Sequence, residues 1–190
     1  MEYWETRYKN GGNGGKGSRG LIRLCKWLTI WRYIGVPRTS LLDIGCGDLA
    51  FWKGLKMPDG YLGVDISETQ TAKNMCSRPR NKFVTSDARY CVSSKLYSVV
   101  FCFDVLFHIR DERSYRMILE TLAASSSEWI FIYTWWRNPF SGKKDDGQYQ
   151  RYRDFAGYFD LMKKQKFNFV GMHKNRFDPV GAMYVFRREE

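Results

Sequence analysis

The segment Leu41-Leu42-Asp43-Ile44-Gly45-Cys46-Gly47-Asp48-Leu49 concentrates the chemical possibilities of this chain. An apolar strand runs there into Gly-x-Gly, a turn that lets backbone approach a ligand closely. In α/β folds that approach lies at the carboxyl ends of parallel strands. Gly45-x-Gly47-x-x-Ala50 also satisfies the relaxed dinucleotide pattern, with Asp65 at the distance expected of a ribose partner. Three features separate the two readings. Asp43 stands just before the first glycine, where a carboxylate would orient the turn and face a cationic amino group. Asp87 follows a third apolar strand, where it could meet an adenine amino group. And 190 residues leave little room for the extra catalytic domain of a typical dehydrogenase.

Other candidate groups are fewer. His108 follows the fourth strand, with an ordinary imidazole pKa near 6.5, so it could take a proton from a substrate. It could equally pack at the start of the next helix and bond to backbone. Trp135-Trp136-Arg137-Asn138 closes the fifth strand, where adjacent side chains point to opposite faces and one tryptophan should reach a cleft mouth. Asp145-Asp146-Gly147 reads as a turn rather than a metal site. Five cysteines, without a CxxC pair or a histidine cluster, argue for a reducing compartment and against structural zinc or a disulfide framework.

Alternating elements must position these groups. Ser18 can cap a helix to about Ile34, with Leu21, Leu24, Cys25, Leu28 and Trp31 at helical spacing, and Trp27 and Trp31 read as core. Strands follow at 40–44, 61–64, 82–85, 98–103 and 129–134. Helices lie between them near 48–55, from the Ser67 cap to Met75, and from the Asp111 cap to Ala124. A helix is expected over 148–166, and paired strands over 169–176 and 182–187. Strand–helix alternation implies a parallel sheet covered on both faces, with an antiparallel hairpin at one edge.

In this order and spacing the sequence resembles the class I S-adenosylmethionine-dependent methyltransferases, by motif over about residues 40–135. The resemblance implies a Rossmann-like α/β fold: a seven-stranded, mostly parallel sheet with helices on both faces and a C-terminal antiparallel hairpin. It implies that Asp43-x-Gly45-Cys46-Gly47 holds the methionine part of S-adenosyl-L-methionine. Asp65, followed by Ile66, would take the ribose hydroxyls, and Ser86-Asp87-Ala88 the adenine. Phe103-Asp104-Val105-Leu106-Phe107-His108 would line the transfer site, with Asp104 and His108 as candidate catalytic groups. The family's usual third glycine is replaced by Leu49.

Residues 1–18 are expected to form a flexible, glycine-rich lid whose Trp4 and Tyr8 face the cofactor, with the methyltransferase domain spanning 19–190. Trp135, Trp136, Arg137, Asn138 and Arg151 are the candidate substrate contacts. The net charge of +11 sits in the two ends, +6 over residues 1–40 and +5 over residues 136–190, around a neutral middle. Such a field favours anionic partners. The reading is a cytoplasmic, metal-independent enzyme methylating an oxygen or nitrogen of a small molecule. No apolar run is long enough to span a bilayer, and the polar N-terminus does not read as a signal peptide. One alternative is an RNA methyltransferase whose contacts are Arg7, Lys9, Lys16, Arg19, Arg137, Lys143, Lys144, Arg151 and Arg153. The other is a catalytically silent cofactor-binding module.

Overall fold

The computed structural model describes residues 2–37, 40–91 and 95–189. Seven strands form one sheet: β1 (Leu41–Ile44), β2 (Tyr61–Asp65), β3 (Lys82–Thr85), β4 (Tyr97–Phe103), β5 (Ser126–Trp135), β6 (Phe167–Lys174) and β7 (Gly181–Arg188). Their order is β3-β2-β1-β4-β5-β7-β6. The first five run parallel, and β7 enters antiparallel between β5 and the edge strand β6. The direction of strand order reverses between β1 and β4, and such a switch point opens a crevice at the strand ends. β1 and nearly all of β4 are buried, as continuous apolar runs covered on both faces must be.

Among the described residues five α-helices accompany the sheet: α1 (Glu2–Lys9), α2 (Gly20–Ile34), α3 (Glu68–Ser77), α4 (Glu112–Ser125) and α5 (Phe159–Lys164). The caps of α3 and α4 lie where the sequence placed them. Ser67 Oγ accepts from the Gln70 N–H, and Asp111 accepts from the Ser114 N–H. One core joins α4 and α5 to one sheet face, around Leu119, Leu122, Phe155 and Phe186. A second core, rich in aromatic rings, joins α2 to the other face through Trp27, Ile30, Phe51, Trp52 and Phe101. No helix among the described residues is long and apolar enough to cross a membrane.

The helix expected near 48–55 is only the three-residue 3-10 turn Ala50–Trp52, and three further expectations fail. First, Ser18 does not cap α2: it ends a short 3-10 turn, and Arg19 occupies the cap position without a side-chain bond. Second, α2 turns a different face inward. Lys26, Trp27 and Ile30 are buried, whereas Leu21, Leu24, Leu28 and Trp31 are exposed. Trp27 decides the rotation, because its ring stacks on Phe51 at 4.5 Å and its indole N–H donates to the Phe51 carbonyl. Third, the helix expected over 148–166 is confined to α5 and the 3-10 turn Phe155–Tyr158 before it. The Asp146 carboxylate accepts the N–H groups of Gln148, Tyr149 and Gln150, so side-chain bonding displaces helix in that stretch.

Candidate active site

At the switch point the chain turns sharply. Gly45 has φ 76° and Gly47 φ 52°, the left-handed region that glycine enters without cost. A Cβ on Gly45 would collide with the Val105 side chain, so the first glycine also lets the end of β4 close on β1. Leu49, in place of the third glycine, takes a left-handed φ of 57° and is buried in the aromatic core.

Above this turn opens a cleft of about 490 Å³. Of the residues singled out from sequence, Trp4, Tyr8, Gly45, Cys46, Gly47, Asp65, Ile66, Ser86, Asp87, Ala88, Phe103, Asp104 and His108 line it. Asp65 accepts the N–H groups of Gly47 at 2.9 Å and Ser67 at 3.0 Å. Burial raises its pKa and those backbone bonds oppose the rise. Asp87 is engaged by Arg89, whose guanidinium reaches both carboxylate oxygens at 2.6–3.0 Å and whose N–H adds a fourth bond. Burial would raise the Asp87 pKa, but the Arg89 contacts outweigh it and the net shift is downward.

Asp43 lies elsewhere. Its carboxylate is buried beneath the turn, accepting from the Trp52 indole at 2.8 Å and the Tyr61 hydroxyl at 2.9 Å, and it does not line the cleft. Burial pushes its pKa up to about 6. Asp104, held at φ 60° just past the end of β4, does line the cleft, as does Asp48 of the turn itself. Like Asp43, the five substrate candidates do not line the cleft. Trp135 is buried and stacked parallel on Phe107 at 4.3 Å, and Trp136 lies under the Lys174 ammonium. Arg137 leans on the Trp136 ring. Asn138 closes its own turn by donating to the Lys143 carbonyl and accepting from the Phe140 N–H. Arg151 donates to the Arg110 carbonyl, one step behind the cleft wall.

His108 sits deep in the wall between Trp4, edge-on at 4.9 Å, and Tyr149, nearly parallel at 5.4 Å. Its Nδ1 is buried without a hydrogen-bond partner, while the Tyr149 backbone beside the ring favours the protonated form. Burial lowers its pKa to about 4, so the ring is neutral at physiological pH.

The N-terminal segment is ordered over the cleft by contacts the sequence does not announce. Glu5 accepts from the Ser67 hydroxyl at 2.6 Å, the Thr69 hydroxyl at 2.5 Å and the Thr69 N–H at 3.3 Å, at the start of α3. The two hydroxyl bonds pull the Glu5 pKa to about 2. Lys73 donates to the Tyr8 carbonyl, Asp48 accepts from the Gly14 N–H and from Arg19, and Tyr3 stacks on Tyr149 at 4.3 Å. Tyr149 and Arg89 also line the cleft and were not anticipated. Arg89, two residues after Asp87, is the one of these with a local signal. Among the described residues no group of three or more His, Cys, Asp or Glu is placed to hold a metal.

No protein-family model and no curated protein matches this sequence. Solved structures do match. Magnesium protoporphyrin IX methyltransferase from Synechocystis, with S-adenosylhomocysteine bound, is 18% identical at a TM-score of 0.64, over 89% of this chain and 81% of that one. The N-methyltransferase NodS from Bradyrhizobium japonicum, in complex with S-adenosylhomocysteine, gives 0.69 at 13% identity, over 90% and 89% of the two chains. The CcbJ methyltransferase from Streptomyces caelestis gives 0.66 at 13%, over 95% and 92%. The chain has the class I methyltransferase fold. Within that fold, the methyltransferase-like sheet brings Asp65, Asp87 and Asp104 to one cleft from the ends of three different strands.

Proposed function

We propose that the protein is an S-adenosylmethionine-dependent methyltransferase acting on an oxygen or nitrogen of a small molecule. One observation carries the reading. The switch-point cleft presents Asp65, with lone pairs beyond its two backbone bonds, beside a glycine turn, and Asp104 from just past the end of β4. These groups suit S-adenosylmethionine: vicinal hydroxyls at Asp65, an adenine beside Ser86–Ala88, and a cationic amino-acid end at Asp104. When bound, that cofactor supplies a methyl group activated by a sulfonium leaving group. Asp104 thereby takes the role first expected of Asp43.

The chain's own residues supply alignment, dryness and a proton acceptor. Tyr3, Trp4 and Tyr8 roof the cleft from α1, which favours a low-water site in which orientation provides much of the rate. His108, a neutral imidazole in the cleft wall, is the proposed acceptor of the proton that an acceptor hydroxyl or amine loses. The small-molecule preference is supported by the nature of the roof, an aromatic cover over a cleft of about 490 Å³, and by a neighbour in the same fold named for magnesium protoporphyrin IX.

The test is label transfer. Purified protein is incubated with methyl-tritiated S-adenosylmethionine and either a low-mass metabolite extract or total RNA. Label should move into the low-mass fraction. Label entering RNA instead would reverse the substrate assignment, and no transfer into any fraction would favour a silent binding module.

A further inference from the structure

Lys26 is the one lysine in the interior among the described residues, 1% exposed, on the inward face of α2. Its ammonium donates to Asp104 Oδ2 at 2.5 Å and lies 3.8 Å over the Tyr133 ring, with the Phe103 ring at 5.6 Å. Behind Tyr133, the hydroxyl donates to Asp178 at 2.8 Å. The charges facing Lys26 are therefore Asp104 from β4, Asp178 from the β6–β7 connection, and Asp43 from β1. Burial pushes the Lys26 pKa down, and Asp104 opposes that fall.

A buried ion pair is a poor device for stability, because well-packed apolar residues of similar volume often do as well or better. This pair is also set in a constrained place. Asp104 holds a left-handed backbone, an uncommon conformation for a residue with a Cβ, and its N–H is fixed on the Tyr133 carbonyl. Gly17 from the N-terminal segment packs so closely on the carboxylate that a Cβ there would collide with it. Asp104 thus meets α2, β5 and the N-terminal segment at once, with its remaining face toward the cleft.

From this geometry, and resting on the cofactor reading above, we infer that Lys26 is a positioning residue that fixes the Asp104 carboxylate toward the amino-acid end of the cofactor. Lys26 does not line the cleft and acts through Asp104. Without the ammonium, the carboxylate loses the partner that sets its rotamer and is free to swing to water.

Calorimetric titration with two probes separates this role from a structural one. S-adenosylhomocysteine carries the amino-acid end; 5′-methylthioadenosine has the same adenosine and sulfur without it. Lys26→Met should weaken S-adenosylhomocysteine binding by about tenfold or more, the scale for breaking a desolvated charge contact. Methylthioadenosine affinity should stay within about twofold. Lys26→Arg should recover part of the loss. Asp104→Asn should reproduce it, and the double variant should lose no more than either single one. Equal losses for both probes, or no loss for either, would overturn the inference. If Lys26→Met does not fold, Asp104→Asn decides, and its retaining full S-adenosylhomocysteine affinity would overturn it. A wild-type protein that binds neither probe removes the cofactor reading itself, a different result from any of these.

Discussion

At the scale of single residues, two ionisable groups, His108 in the cleft wall and Asp43 beneath the glycine turn, shift from their ordinary values in opposite senses. His108 falls from 6.5 to about 4 through burial, and Asp43 rises from 3.8 to about 6 through burial. For His108 the folded pKa lies below the unfolded one, so the unfolded chain binds more protons between them. Its contribution is fully present above about 6.5 and is lost as pH falls toward 4, amounting to about 3 kcal/mol. Asp43 runs the other way, because the folded state holds the extra proton between 6 and 3.8. Wild type alone would show a blunted slope, and the comparison that isolates the histidine is with His108→Gln. Urea unfolding at pH 7 and pH 4 should show the stability gap between the two proteins shrinking by about 3 kcal/mol. A gap independent of pH would mean that His108 is not held neutral. Asp65 supplies a second residue-level expectation. Asp65→Ala should weaken S-adenosylhomocysteine binding by about 1.5–3 kcal/mol, the scale for bonds to a charged group. Affinity unchanged in a calorimetric titration would remove Asp65 from the site.

Elements, more than residues, explain what the sequence discloses and what it hides. The turn at Gly45 and Gly47, the strand-end acids Asp65, Asp87 and Asp104, and the Ser67 and Asp111 caps were legible, because each is written within a few neighbouring residues. Lys26 was not: its partner lies 78 residues away, and a lysine inside a helical apolar pattern reads as solvent-facing. The same distance hid Glu5, whose partners on α3 stand 62 and 64 residues further along. The inward face of α2 was misassigned because periodicity counts apolar residues, whereas the decisive contacts were the Trp27–Phe51 stack and an ion pair. These contacts make the N-terminal segment a testable element. Gly17→Ala should push against an Asp104 carboxylate already held by Lys26, costing about 1–3 kcal/mol of folding stability in urea unfolding, the scale of an overpacked contact. Glu5→Ala should speed hydrogen exchange across α1 and reduce the protection that S-adenosylhomocysteine confers there. Exchange as slow as wild type would mean that α1 is anchored by other contacts.

For the whole molecule, the question is what a charge of +11 does. Part of the basic excess is spent internally. Arg19 pairs with Asp48, Arg7 donates to the Asn13 carbonyl, and Arg153 is nearly buried against Glu112 and the Ile109 and Arg110 carbonyls. Arg153 is therefore not an accessible phosphate contact, whereas Lys143 and Lys144 are exposed. If RNA were the substrate, log affinity would fall linearly with log salt, by about 0.7 for each phosphate neutralised on a single strand. Replacing Lys143 and Lys144 by alanine would then flatten the slope by about two contacts' worth. For a small-molecule enzyme, anisotropy titrations should show weak binding that vanishes near physiological salt. Micromolar affinity persisting there would favour RNA. Beneath either substrate lies the claim that this cleft holds S-adenosylmethionine and not a dinucleotide, since Gly45-x-Gly47-x-x-Ala50 alone admits both. The most direct measurement is calorimetric titration of the unmodified protein with S-adenosylhomocysteine and, separately, with NAD. Saturable one-to-one binding of S-adenosylhomocysteine, with no heat from NAD, is the result expected; saturable NAD binding with no response to S-adenosylhomocysteine would contradict it.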